Sequence, residues 1–463
     1  MKTFLRRLLW TVAALLALLG LFHLVENVRG RRAWQARKAA QEALGMRYDP
    51  AAYAPLAVAE ADNFAAAPCI AGAAVGKGDG GSWTLPGAFI DVATAGNWRE
   101  GRPMDPSAGI SELKGQSLEV FLQPFDARLA ALAEAARRSG SRLHVDYGNP
   151  EEIPQLLEMR ARMRVLRLRA LARLQSGHAA AALEDVLTGL RMVQHFQHEP
   201  HLISQLLRAA WTTMVLQPVW EGLRSRAWNE AQLTRLEAEL APIDLLASLQ
   251  LAWRFERCGL AENLEKAGPA DLGALLAAPQ EGAQPPGLFW RWVAQVLIPR
   301  GWVAQNLCAL DRAVAEGIEG SLVPARHRVH PDPAAWQALI PPRSPYTFIV
   351  PSLVPALGGQ NSRVARIAAG VDQARIACAL ERHRLAAAAY PESLAALAPR
   401  FMAQVPHDLA TGTPLRYSRS GNSFRLYSLG WNGTDEGGTR ARDAGEGDWA
   451  WSDGEAAPIR RRP

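Results

Sequence analysis

Five carboxylates gather among glycines in the stretch "GTDEGGTRARDAGEGDW": Asp435, Glu436, Asp443, Glu446 and Asp448. Carboxylate and carbonyl oxygens on a flexible loop are what calcium prefers. Asp435, Glu436, Asp443 and Asp448 are therefore the candidate calcium ligands. Arg440 and Arg442 interrupt the acids, and the competing reading is an exposed acidic turn.

A second cluster is "HFQHEPHL", with His195, His198, Glu199 and His201. Imidazoles and a carboxylate this close suggest zinc. The spacing is not H-E-x-x-H, and Pro200 breaks the helix that would aim two ligands together. Histidines at a helix end also interact favourably with the terminal carbonyls, so a structural role is the stronger expectation. His327 and His330 form a weaker pair of the same kind. Cys69, Cys258, Cys308 and Cys378 lie far apart with no C-x-x-C pair, as buried small hydrophobes would. "GKGDGG" lacks the spacing of a phosphate loop, and no nucleophile elbow or dinucleotide fingerprint occurs. No catalytic residue is assigned, although a site assembled from scattered residues would leave no local signature.

The acidic loop must be positioned by what precedes it. Ile376 to Ala389 is rich in good helix formers. Tyr390-Pro391 ends it, because the residue before proline is pushed out of the helical region. A short helix over 392–397 and the turn-rich "HDLATGTP" follow. Leu415 to Arg419 and Ser423 to Leu429 read as two strands joined by Ser420-Gly421-Asn422. Alternation places Phe424 and Leu426 on the packed face, with Arg425 and Tyr427 opposite.

The run "YPESL", "VP", "TGTPLRY" and then "LYSLGWNGTDEGG" resembles the globular head of the major pseudopilins of type II secretion. That resemblance covers the C-terminal part of the chain. It implies a helix, a proline-marked turn, a small antiparallel sheet and a glycine-rich loop that binds calcium. It also implies work beyond the bacterial inner membrane, in a secretion or pilus-like assembly. The chain as a whole looks like single-anchor bacterial envelope proteins with such a tail.

Toward the other end, Leu8 to Val25 runs without a formal charge, flanked by Lys2, Arg6 and Arg7 on one side and by arginines from Arg29 onward. Eighteen helical residues span about 27 Å, enough for a bilayer core. Trp10 sits where an interfacial anchor would. A small-x-small cleavage site is not evident, so an uncleaved anchor is expected rather than a signal peptide. Positive charge on both sides leaves orientation open; the pseudopilin-like tail implies a periplasmic body.

Between anchor and tail, a juxtamembrane helix over 33–44 and an irregular segment to 116 are expected. Helices follow over 125–138, 151–175, 179–195, 202–224, 229–240, 243–265 and 302–318. Met163, Leu166, Ala170, Leu183 and Leu190 are expected inside. Arg160, Arg164, Arg167 and Arg173 of the 151–175 helix read as a solvated face, and Glu158 and Arg162 can pair one turn apart. Leu288 to Leu297 is apolar but too short to span a membrane, and residues 346–359 read as a proline-broken buried segment. The organisation expected is an anchor (1–30), a juxtamembrane and irregular segment (31–116), a helical body (117–345) and an α+β module with a disordered basic tail (346–463). The fold class is mainly α.

The 463 residues carry a net charge of +6 and a pI near 9.3. Basicity alone is a weak sign of nucleic acid, and no recognition fold accompanies it. The expected role is a non-catalytic, membrane-anchored envelope protein that contacts other envelope proteins through unidentified partners. The opposing reading is an envelope hydrolase.

Overall fold

The computed structural model describes residues 2–74, 83, 113, 116–149, 152, 156–268, 271, 287–330, 337–439 and 447–452. Most of the stretch "GKGDGGSWTLPG" (76–87), most of residues 267–287 and the basic tail lie outside these residues. The molecule is mainly helical, as expected, with a small antiparallel sheet in the tail.

Helix α1 is one continuous rod, Lys2–Ala43. The apolar run and the expected juxtamembrane helix are thus a single element, because nothing between them breaks a helix until Gly45. Its first half is exposed and apolar; Leu16, for example, is 62% exposed. It is the one described helix long and apolar enough to cross a membrane. Its second half is docked onto the body, with Glu26, Trp34 and Gln41 buried.

After two short helices, α2 (Pro68–Ala74) and α3 (Leu118–Leu122), the body proper begins. It comprises α4 (Asp126–Ala135), α5 (Leu157–Gln175), α6 (Ala179–His195), α7 (Leu202–Arg224), α8 (Glu230–Leu240) and α9 (Leu245–Lys266). Asn229 caps α8, and Gln232 returns the bond to its backbone, a reciprocal arrangement that satisfies two otherwise unpaired amides. Helices α10 (Leu288–Leu297) and α11 (Arg300–Arg312) follow, and a π-helical turn continues α11 to Ile318. A minimal ladder pairs β1 (Leu322–Val323) with β2 (Arg328–Val329).

Helix α12 spans Ile349–Ala387. It starts earlier than expected: the 346–359 segment is mostly helical. Pro351 falls in the first turn, where a backbone amide has no intrahelical partner to lose. Pro355 is accommodated inside the helix. The helix packs against α7, α8 and α9 and carries the tail sheet on its C-terminal part. Trp253 of α9 donates its indole N–H to Asn361 Oδ1 of α12 at 2.7 Å, and Asn361 donates to the Ile318 carbonyl at 2.7 Å. A large apolar core runs through body and tail, from Phe64 to Trp451, and includes the fully buried Trp211, Trp220 and Trp253, while a separate small cluster joins Trp34 of α1 to Ala261 and Leu307.

The arginines of α5 correct the solvated-face expectation. Arg162, Arg167 and Arg169 are buried. Arg169 reaches Asp185 of α6 through two bonds, at 2.6 and 3.1 Å, and Asp126 of α4 at 2.6 Å. Arg173 shares Asp185 at 2.8 Å. Arg167 donates to Gln217 of α7 at 2.9 Å. Burial and the neighbouring Arg164 lower the Arg167 pKa to about 10. Partners supplied by other helices turned a basic face inward.

The same device joins α1 to the body. Asp311 of α11, buried, accepts from Arg37 at 2.7 Å, from Tyr48 at 2.9 Å and from Arg257 of α9 at 3.0 and 3.1 Å. Arg257 also donates to Gln41 at 2.6 Å and Glu319 at 2.5 Å. Removing one partner of a buried pair strands the other charge. Asp311→Ala is expected to cost about 3–5 kcal/mol, measured as a fall in the denaturant midpoint of the full-length protein; an unchanged midpoint would show that Arg257 finds water instead.

Candidate cation site in the tail loop

Helix α12 ends at Ala388, in the left-handed region. Tyr390 turns back so that its hydroxyl donates to Glu381, while its ring meets Phe424 edge-on at 5.0 Å. Strands β3 (Arg416–Ser420) and β4 (Ser423–Ser428) pair as the expected hairpin, with Phe424 and Leu426 buried. Strand β5 (Trp449–Ser452) adds antiparallel to β4. Gln373 of α12 donates to the Trp449 carbonyl at 2.5 Å and fastens the sheet to the helix.

Asp408, in "HDLATGTP", holds the loop entrance. Its carboxylate accepts from the Ala410 amide at 2.9 Å, the Ser428 hydroxyl at 2.7 Å and the Leu429 amide at 3.0 Å. This residue was missed as a site element, although an aspartate two residues before the amide it binds is a known turn signal.

Between β4 and β5 the loop folds on Asp448, only 1% exposed. Asp448 Oδ2 accepts from the Gly438 amide at 2.7 Å and the Glu436 amide at 3.1 Å. Gly438 has φ +80°, and a Cβ there would meet Arg425 Cδ at 2.7 Å, so a side chain is excluded on both counts. Trp431 and Trp449 stack edge-on at 4.9 Å beneath the loop.

The four predicted ligands have different fates. Asp435 is committed: it accepts from Tyr427 at 2.9 Å and the Gly437 amide at 3.0 Å, and pairs with Arg416 at 3.3 Å. Asp443 lies outside the described residues. Glu436 and Asp448 are brought together by the Glu436 amide, and each keeps one buried carboxylate oxygen with no donor, Oε2 and Oδ1 respectively. Among the described residues, no group of three or more His, Cys, Asp or Glu side chains is arranged to hold a metal ion. The loop offers two free oxygens, a partial fit to a cation that also takes carbonyl and water oxygens.

Of the histidine cluster, the Glu199–His201 contact persists while His195 turns elsewhere. His195 stacks on Phe64 at 4.3 Å and bonds the Ala136 carbonyl at 3.1 Å. His201 contacts Glu199 at 2.5 Å, and Glu199 also accepts from Tyr147 at 2.8 Å. His327 contacts Asp372 at 2.6 Å. These are buried or half-buried structural contacts in separate places. The four cysteines are free thiols.

No protein-family model matches the chain, no curated protein matches its sequence, and no solved structure matches its fold.

Burial pushes the Asp448 carboxyl up to about 6, aided by the negative charges of Glu436 and Asp435 and opposed by the two amides. A folded carboxyl above its ordinary value of 3.8 takes up a proton on folding. Its stabilisation is complete below the ordinary value and is lost as pH rises through about 6. Asp448→Asn should therefore remove part of the stability gain between pH 7 and pH 5. Denaturant midpoints of both proteins at the two pH values, without added metal, give the comparison; equal gains would mean that Asp448 does not titrate in this window.

Proposed function

We propose that the protein is a membrane-anchored, non-catalytic envelope protein that presents its C-terminal α+β module to other envelope proteins. The observation that supports this is the continuity of α1. Its exposed apolar half is of bilayer length, and its other half is fastened into the body by the Arg37–Asp311 ion pair and the buried Arg257–Gln41 hydrogen bond. A body held this way has a fixed attitude to the membrane, which suits a presenting scaffold. The pseudopilin-like tail favours the bacterial inner membrane, a periplasmic body and partners in a secretion or pilus-like assembly.

A photoreactive amino acid at exposed Ser418 on β3, in intact membranes of the native host, tests this reading. Expected are discrete adducts with envelope proteins that persist after a carbonate wash. Adducts with lipid alone, or a protein released by the wash, would count against it.

Calcium is the proposed ligand of the tail loop, held by Glu436 Oε2 and Asp448 Oδ1 with carbonyl oxygens completing the shell. Two buried acceptors without donors support it. Binding to the folded state alone raises the melting temperature with ion concentration, by mass action. The full-length protein in detergent should melt higher as calcium rises at pH 7, and less so at pH 5, where protons compete. Asp448→Asn should flatten the response. A flat response in the unaltered protein would remove calcium and leave the scaffold reading intact.

A further inference from the structure

Helix α10, "LFWRWVAQVL", leaves large apolar side chains exposed. Phe289 is 66% exposed, Trp292 64% and Leu297 53%, and Val296 is exposed beside them. Positions 289, 292, 293, 296 and 297 recur at three and four residues, which puts them on one side of a helix. Gln295 lies on the other side. A helix with such a stripe must cover it with something apolar or leave it in water.

Its place in the fold says which. Only Ile298 and Pro299 separate α10 from α11, and α11 meets α1 at once. Gly301 donates its amide to Asn27 Oδ1 at 2.7 Å. A Cβ on Gly301 would meet the Glu26 carbonyl oxygen at 1.9 Å, and one on Gly30 would meet the Gly301 oxygen at 2.2 Å, so the two backbones touch. Trp302 meets Phe22 edge-on at 6.1 Å. The contact thus falls where the apolar run of α1 ends, at Val25. Four residue steps of fully extended chain reach roughly 14 Å. Leu297 is therefore held within about 14 Å of that level.

The surroundings have the composition of a membrane–water boundary. Trp302 is flanked by Tyr346 at 5.8 Å, and Arg29 lies over the Tyr346 ring at 5.2 Å. Arg31 and Arg32, both exposed, follow on α1. Aromatic rings and then arginines just beyond an apolar span are what headgroup level selects. Sequence length had excluded α10 from spanning a membrane; it does not exclude it from lying on one.

We propose that α10 is an interfacial helix: it lies in the bilayer surface with Trp292, Val296 and Leu297 toward the acyl chains, a second attachment beside α1. The proposal rests on the reading of α1 as a membrane anchor. The occupant of the stripe is lipid, rather than a second copy of the chain, because the helix ends within that short reach of the level where the apolar run of α1 stops, beside the aromatic rings and arginines of that level.

Spin labels on the full-length protein in lipid nanodiscs test it, in a Cys69→Ser, Cys308→Ser background that leaves only buried thiols. Labels would be placed singly through Trp292→Cys, Val296→Cys and Gln295→Cys, with Leu16→Cys reporting the anchor and Ser418→Cys reporting water. Circular dichroism of each variant confirms the helical fold. Expected is collision of the 292 and 296 labels with oxygen but not with a water-soluble nickel chelate, as at 16, with the 295 label closer to 418. If 16 is in lipid while 292 and 296 behave like 418, the α10 proposal fails and the anchor stands. If 292 and 296 are shielded from both relaxants, a protein contact covers the stripe and the proposal also fails. If 16 itself is in water, the anchor reading falls and takes the proposal with it.

Discussion

The structure depends on one buried carboxylate, Asp311, and on the charges that surround it. Arg37 from α1, Arg257 from α9 and the Tyr48 hydroxyl converge on it. Glu319 accepts from Arg257 and also from Arg254, at 2.5 and 2.7 Å, and Gln41 accepts from Arg257 at 2.6 Å. Ions removed from water are tolerable only when their lone pairs and protons are matched in this way. The match holds three distant parts of the chain in one register. It therefore fixes how the exposed half of α1 leaves the body.

The Gly30–Gly301 crossing complements this knot. Close backbone approach gives α1 and α11 a contact that no side chain could slide along. The ion pairs set position along the helices, and the glycines set the distance between them. Together they turn two halves of different character, one apolar and exposed and one polar and buried, into a single rod. The proposed interfacial helix follows from that geometry, because α11 carries α10 to wherever the apolar half of α1 ends.

Much of the fold was legible from local signals. Ser176-Gly177-His178 stops α5, and α6 and α7 occupy the expected 179–195 and 202–224, because breakers and apolar period agree there. Asn229 announced the start of α8. What was not legible depended on tertiary partners. Pro351 read as a breaker, yet in a first turn it removes an amide that has no partner anyway. Arg167 and Arg173 read as solvated, because Gln217 and Asp185 lie on other helices. In the tail loop the acids were found but not their division of labour. Whether Asp435 binds Arg416 or an ion depends on where β3 brings that arginine.

The docking of α1 has a consequence for synthesis. Arg37 and its partner Asp311 are 274 residues apart in the chain. At about 5–20 residues per second, that separation takes roughly 15–55 s to translate. Helix α1 is thus made well before the α11 carboxylate that it docks on. Throughout that wait Trp34, Arg37 and Gln41 have no body to dock on. An apolar half already seated in a bilayer would hold the nascent rod in place until α11 arrives, and would shield its apolar face from self-association.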